Sequence, residues 1–126
     1  MKISIIIPVK PGGAVAAIAG LKNLEPDSPD HEVIIAEGKK PSLQRNMAAR
    51  EASGDILYFL DDDALVVPDA LKRITACFAG QNVAAAGGPS LTPPGDSIFQ
   101  RTIAWALASR FGGGAVRNQP KEKQIN

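Results

Sequence analysis

The stretch Ile56-Leu57-Tyr58-Phe59-Leu60-Asp61-Asp62-Asp63 joins an apolar run to three consecutive carboxylates. Apolar runs of this length are typical of strands buried in a parallel sheet, and such strands deliver their C-terminal residues to the edge where ligands bind. Three adjacent carboxylates repel one another unless a positive group lies among them, and a divalent metal is a suitable partner. The stretch therefore predicts a buried strand that ends in a metal-binding loop. The alternative is a solvated loop that caps the following helix.

The chain on either side of this stretch alternates between predicted strands and predicted helices. Two runs rich in β-branched residues predict strands at Ile3–Val9 and His31–Glu37, and the second of them ends on an acid. The other predicted elements are helices at residues 14–24 and 42–52, a strand at 55–60, a helix after Pro68, and a short strand at 83–86. This alternation predicts an α/β fold, a three-layer sandwich with a mainly parallel sheet and right-handed crossovers.

Length and composition restrict the class of protein. A chain of 126 residues has room for a single domain. Its formal net charge is +1, which is not the footprint of a protein that binds nucleic acid. Its longest apolar runs fall short of the ~20 residues of a membrane helix. We therefore expect a cytoplasmic protein, with the inner face of the membrane as the alternative location and with association at the membrane surface left open for the full-length protein.

The chain changes character after Pro89. We assign residues 1–89 to the α/β domain, and residues 90–126 to an amphipathic helix at 97–110 and a flexible polar tail of the same domain. A predicted sheet of about four strands is small beside the usual ~5 to 6, so we expect the fold to be incomplete.

Four blocks in a fixed order resemble the inverting glycosyltransferases of family 2. The blocks are Ile5-Ile6-Ile7-Pro8-Val9, Val33-Ile34-Ile35-Ala36-Glu37, Gln44-Arg45-Asn46 with residues 48–54, and Phe59-Leu60-Asp61-Asp62-Asp63 with Pro68-Asp69. The resemblance runs over residues 2–89, and the order of the four blocks is more specific than any single block. The resemblance implies a GT-A fold and transfer of a sugar from a nucleotide-diphospho-sugar donor to a hydroxyl acceptor, with bacterial polysaccharide or glycan synthesis as the expected setting.

The resemblance also implies a role for individual residues. The expected nucleotide-binding residues are Pro8, Val9, Glu37, Arg45, Asp61 and Asp62. Asp61 and Asp63 are the expected ligands of Mg²⁺ or Mn²⁺, which are hard cations that prefer carboxylate oxygens. Most members of the family have Asp where this chain has Glu37. No acid corresponds to the family's general base, so we assign no catalytic residue and expect the isolated chain to be a weak or inactive fragment.

Two other classes of protein remain open at this point. A nucleotidyltransferase also combines a nucleotide-binding α/β sheet with acidic metal ligands, but it should carry a basic, glycine-rich loop after the first strand. Pro11-Gly12-Gly13 lacks the basic residues of such a loop. The second alternative is a non-catalytic module that binds a nucleotide or a protein partner.

Overall fold

The computed structural model describes residues 1–80, 82–87 and 95, and the backbone of residues 123–125. The chain divides into two compact units, Met1–Ala76 and Cys77–Asn126. The first unit contains every residue that the sequence analysis singled out for function. The predicted amphipathic helix at 97–110 lies outside the described residues.

A parallel three-stranded sheet forms the centre of the first unit. Its strands are β1 (Ile3–Val9), β2 (His31–Glu37) and β3 (Ile56–Phe59), in the order β2-β1-β3. Each of the seven residues of β1 is buried, which is the environment that its unbroken apolar sequence predicts. Ile5 is in register with Val33 on one side and with Tyr58 on the other. The predicted parallel sheet is thus confirmed, with β1 as its central strand.

Helices connect the strands. They are α1 (Ala17–Lys22), α2 (Pro41–Glu51) and α3 (Ala70–Cys77). Because β2 and β3 flank β1 on opposite sides and parallel crossovers are right-handed, α1 and α2 lie on opposite faces of the sheet. This arrangement is the predicted three-layer α/β sandwich.

Helix α1 is shorter than the predicted segment 14–24. The amides of Ile18 and Ala19 donate to the carbonyls three residues earlier, those of Val15 and Ala16, so a tighter turn precedes the α-helix. The Ala17 amide donates to the carbonyl of Asp62 at 3.0 Å. The start of α1 is therefore set by a contact with the loop that carries Asp61, Asp62 and Asp63, called the acidic loop below. Helix propensity alone does not predict such a contact.

The predicted fourth strand does not extend the parallel sheet. Strand β4 (Ala85–Gly87) instead pairs antiparallel with β5 (Lys123–Ile125) in the second unit. Residues 123–125 lie in the segment that the sequence analysis assigns to the polar tail. None of the helices in the described part of the chain has the length and hydrophobicity of a membrane span.

A polar network closes the N-terminal edge of the sheet. One carboxylate oxygen of Glu32 accepts hydrogen bonds from the Ser4 hydroxyl at 2.5 Å, the Ser53 amide at 2.7 Å and the Ser53 hydroxyl at 3.0 Å. The Lys2 ammonium lies 3.5 Å from the other oxygen. The hydrogen bond from Ser4, followed by those from Ser53, lowers the pKa of Glu32 to about 2.

We expect this network to make the stability of the chain depend on pH in the acidic range. The pKa of Glu32 is lower in the folded chain than its ordinary value of 4.5, so its contribution is complete above pH 4.5 and is lost as the pH falls toward about 2. Urea midpoints measured from pH 6 to pH 2 should fall more steeply for the wild type than for Glu32→Gln. Parallel curves for the two proteins would contradict the expectation.

Candidate functional site

The C-terminal ends of the three parallel strands meet at one edge of the sheet. Val9 at the end of β1 is in register with Glu37 at the end of β2, and the Leu60 amide, just after β3, donates to the Ile6 carbonyl at 3.0 Å. A cleft of about 410 Å³ opens at this edge. Its lining combines residues from the three strand ends and from α2: Pro8, Val9, Lys10, Gly38, Lys39, Pro41, Gln44, Arg45, Asp61, Asp62 and Asp63.

The cleft brings together most of the residues that the sequence analysis selected. Pro8 and Val9 lie at one strand end, Arg45 lies on α2, and the three aspartates follow β3. Glu37 is the exception, because it is exposed at the end of β2 and is not among the lining residues. The structure thus places five of the six predicted nucleotide-binding positions, and both predicted metal ligands, around one cleft.

A positive partner lies beside the first of the three aspartates. The Arg45 guanidinium contacts the Asp61 carboxylate at 3.2 Å, with 36% of the Arg45 side chain and 73% of the Asp61 side chain exposed. An exposed ion pair of this kind contributes little to stability, ~0 to 1 kcal/mol. Its importance is positional, since it holds Arg45 at the mouth of the cleft.

The backbone of the acidic loop is held on both sides. The Asp62 carbonyl accepts the Ala17 amide at 3.0 Å, and the Asp61 carbonyl accepts the Ala64 amide at 3.2 Å in a tight turn. These bonds occupy main-chain groups and leave the carboxylates of Asp61 and Asp63 exposed at the cleft. The loop is therefore anchored while its charged side chains stay accessible to a ligand.

The electrostatic character of the cleft is mixed. Lys10, Lys39 and Arg45 line it together with the three aspartates. Lys10 and Lys39 are not among the predicted site residues, because lysines in loops are usually solvated and carry no distinguishing sequence signal. A cleft with both signs of charge suits a ligand that has anionic groups and arrives with a cation.

The donor set fits a hard divalent cation only in part. Among the described residues, no group of three or more His, Cys, Asp or Glu side chains is arranged to hold a metal ion. Mg²⁺ commonly takes one or two carboxylates and completes its shell with water and substrate phosphates. Asp61 and Asp63 can supply those carboxylates, so they fit a cation that binds together with a diphosphate and do not form a complete protein site.

Gln44 is the site residue that sequence reasoning missed. Only 7% of its surface is exposed, although it is a polar residue on helix α2. Its side-chain amide nitrogen donates to the Val9 carbonyl at 2.9 Å and also to the Ala36 carbonyl. The apolar residues Leu43 and Met47 of the same helix are both more than half exposed.

The comparison with known families agrees with this geometry. The model of the Glycosyl transferase family 2 matches residues 12–123, which is most of the chain. The chain belongs to glycosyltransferase family 2. Its fold is accordingly of the GT-A type, and the described parallel sheet is consistent with that fold. Comparisons with curated proteins and with solved structures found no significant match.

Proposed function

We propose that this family 2 chain binds a nucleotide-diphospho-sugar in the cleft and takes part in transferring the sugar to a hydroxyl acceptor with inversion. The observation that carries the proposal is the position of Asp61, Asp62 and Asp63 at the C-terminal edge of the parallel sheet, where they line one cleft with Pro8, Val9 and Arg45. Ligands of open α/β sheets bind at this edge. Bacterial polysaccharide or glycan synthesis is the proposed setting.

The residues of the cleft have separate tasks in this proposal. Pro8 and Val9 form the wall against the nucleoside, and Asp61 and Asp63 hold Mg²⁺ or Mn²⁺ beside the diphosphate. The cation would stabilise the negative charge that develops on the leaving group. Lys10, Lys39 and Arg45 offer further positive charge to the phosphates. Arg45 can exchange its contact with Asp61 for one with phosphate, because the pair is exposed.

Transfer with inversion is a single displacement. The acceptor oxygen forms a bond to the anomeric carbon while the bond from that carbon to the diphosphate oxygen breaks on the opposite face. The hydroxyl proton passes to a base, and the nucleoside diphosphate departs with the electron pair. We assign no residue of this chain to the base.

Thermal unfolding tests the donor site. The melting temperature is measured with UDP or GDP, each with and without Mn²⁺, for the wild type and for Asp63→Asn. At a free nucleotide concentration ten times Kd, binding should stabilise the wild type by about 1.4 kcal/mol, which raises the melting temperature by several degrees. The shift should require Mn²⁺ and should disappear in Asp63→Asn.

A matched control removes the same charge elsewhere. Asp30 is exposed and immediately precedes β2, at the edge of the sheet opposite the cleft, so Asp30→Asn should retain the full shift. Equal loss of the shift in both variants would show that general charge, and not the cleft, is responsible. The absence of a shift with every nucleotide would contradict the proposal and favour a non-catalytic module.

A further inference from the structure

Gln44 connects the ends of two neighbouring strands through one side chain. Its amide nitrogen donates to the carbonyl of Val9, the last residue of β1, and to the carbonyl of Ala36, the penultimate residue of β2. In the sequence, Val9 lies 35 residues and Ala36 lies 8 residues before Gln44. The two strand ends are therefore joined to each other and to α2 at the wall of the cleft.

Gly38 provides the space that Gln44 occupies. A Cβ atom at Gly38 would lie 2.9 Å from Cγ and 3.0 Å from Cδ of Gln44, which is closer than side chains tolerate. The Gly38 amide donates to the Val9 carbonyl at 2.9 Å, so that carbonyl accepts from both residues. The loop after β2 and the first turn of α2 are thus packed around the Gln44 amide.

The chemistry of this position requires an amide of this length. The Gln44 side-chain oxygen is buried without a hydrogen-bond partner in the described structure, so the two carbonyls that accept from the nitrogen set the orientation of the amide. Glutamate would place negative charge against the same carbonyls, and methionine would fill the space without donating. Asparagine is one methylene shorter and would not reach both strands.

We propose that Gln44 is a positioning residue for the nucleotide. By joining Val9 to Ala36 it sets the spacing of the β1 and β2 ends, and with it the wall formed by Pro8 and Val9. It also fixes the turn of α2 that carries the next residue, Arg45, toward Asp61. The inference rests on the proposed function, because it assumes that a nucleotide occupies this cleft.

The test compares Gln44→Met with the wild type in calorimetric titrations of the whole chain. The ligands are UDP and GDP in the presence of Mn²⁺, and Mn²⁺ alone in a separate titration. We expect Kd for the nucleotide that the wild type binds to rise tenfold or more in Gln44→Met. Any binding of Mn²⁺ alone should stay within twofold of the wild type, because the Gln44 amide donates to backbone carbonyls and not to the proposed metal ligands.

The control is a variant that loosens the opposite edge of the sheet. Ser53→Ala removes a hydroxyl that donates to Glu32, and its urea midpoint gives a stability against which Gln44→Met is compared. Ser53→Ala should bind the nucleotide within twofold of the wild type. Gly38→Ala provides a second perturbation of Gln44 if Gln44→Met does not fold, and it should weaken nucleotide binding in the same direction.

The outcomes separate the positioning role from the proposed function. If the wild type binds UDP or GDP and Gln44→Met binds it equally well, the positioning role is overturned while the proposed function stands. If Ser53→Ala loses as much affinity as Gln44→Met, the effect follows stability and the positioning role is again overturned. If the wild type binds neither UDP nor GDP, the proposed function fails, and the inference that depends on it fails as well.

Discussion

Gly54→Ala is expected to lower the free energy of unfolding by ~3 kcal/mol, the upper end of the usual cost of overpacking. A Cβ atom at Gly54 would lie 2.6 Å from both the amide nitrogen and the hydroxyl oxygen of Ser4, and 2.9 Å from the Lys2 carbonyl. Two of these neighbours are backbone atoms, so a side-chain rotation cannot relieve the clash. Ser4 is fully buried in the central strand, which leaves β1 little room to move.

The same substitution also disturbs a hydrogen bond. The Gly54 amide donates to the Ser4 hydroxyl at 2.8 Å, and that hydroxyl donates in turn to Glu32. Urea unfolding of Gly54→Ala and of Gly80→Ala provides the measurement. Among the described residues, a Cβ atom at Gly80 would meet only a Val83 methyl at 3.8 Å, an ordinary contact, so this control should change stability by less than ~0.5 kcal/mol. Similar midpoints for the two variants would refute the argument from close packing.

Leu71→Ala should lower the free energy of unfolding by ~2 to 5 kcal/mol, since the truncation of a buried leucine removes apolar contacts and leaves a cavity. Leu71 is fully buried at the start of α3, and it is one of the largest completely buried side chains among the described residues. We expect a lower urea midpoint with a cooperative transition, which unfolding followed by circular dichroism would detect.

Leu65 is a suitable control for that prediction. It is a leucine in the same unit with 77% of its surface exposed, so Leu65→Ala removes the same atoms without opening a cavity. Leu65→Ala should change the free energy of unfolding by less than ~0.5 kcal/mol. A large loss of stability in Leu65→Ala, or a small loss in Leu71→Ala, would mean that the packing around α3 differs from the structure described.

The two ends of the sheet are stabilised by different chemistry, and this separates stability from function in the variants. Ser4, Ser53 and Gly54 hold the N-terminal edge through Glu32 and through close backbone packing. Gln44 holds the C-terminal edge, where the cleft lies. A substitution at the N-terminal edge should therefore change unfolding without changing the ligand contacts of the folded chain.

The sequence was sufficient for the elements whose pattern is local. The predicted bounds of β1 and β2 match the observed ones to the residue, because runs rich in β-branched residues favour a strand over a helix. The position of Asp61, Asp62 and Asp63 at a strand end followed from the apolar run before them. The resemblance to family 2 is confirmed by the match over residues 12–123. The metal and the roles of the individual site residues stay predictions.

The arrangement of α2 shows where local patterns stop being informative. Hydrophobicity favours Leu43 and Met47 as the buried side of this helix, yet both are exposed and Gln44 and Ala48 are buried. A polar side chain gains from burial only where it finds hydrogen-bond partners, and the partners of Gln44 are carbonyls on two other elements. The residue pattern within the helix gives no information about those carbonyls, because they belong to other elements.

The sequence by itself thus determined the parallel α/β framework, its family and the acidic end of β3. Only the tertiary structure decided that Arg45 lies 3.2 Å from Asp61, that Glu37 does not line the cleft, and that β4 pairs with β5 outside the parallel sheet. The physical reason is the range of the forces involved. The burial of an apolar run can be predicted from consecutive residues. Ion pairs, strand pairing and side-chain hydrogen bonds depend instead on which distant residues the fold brings together.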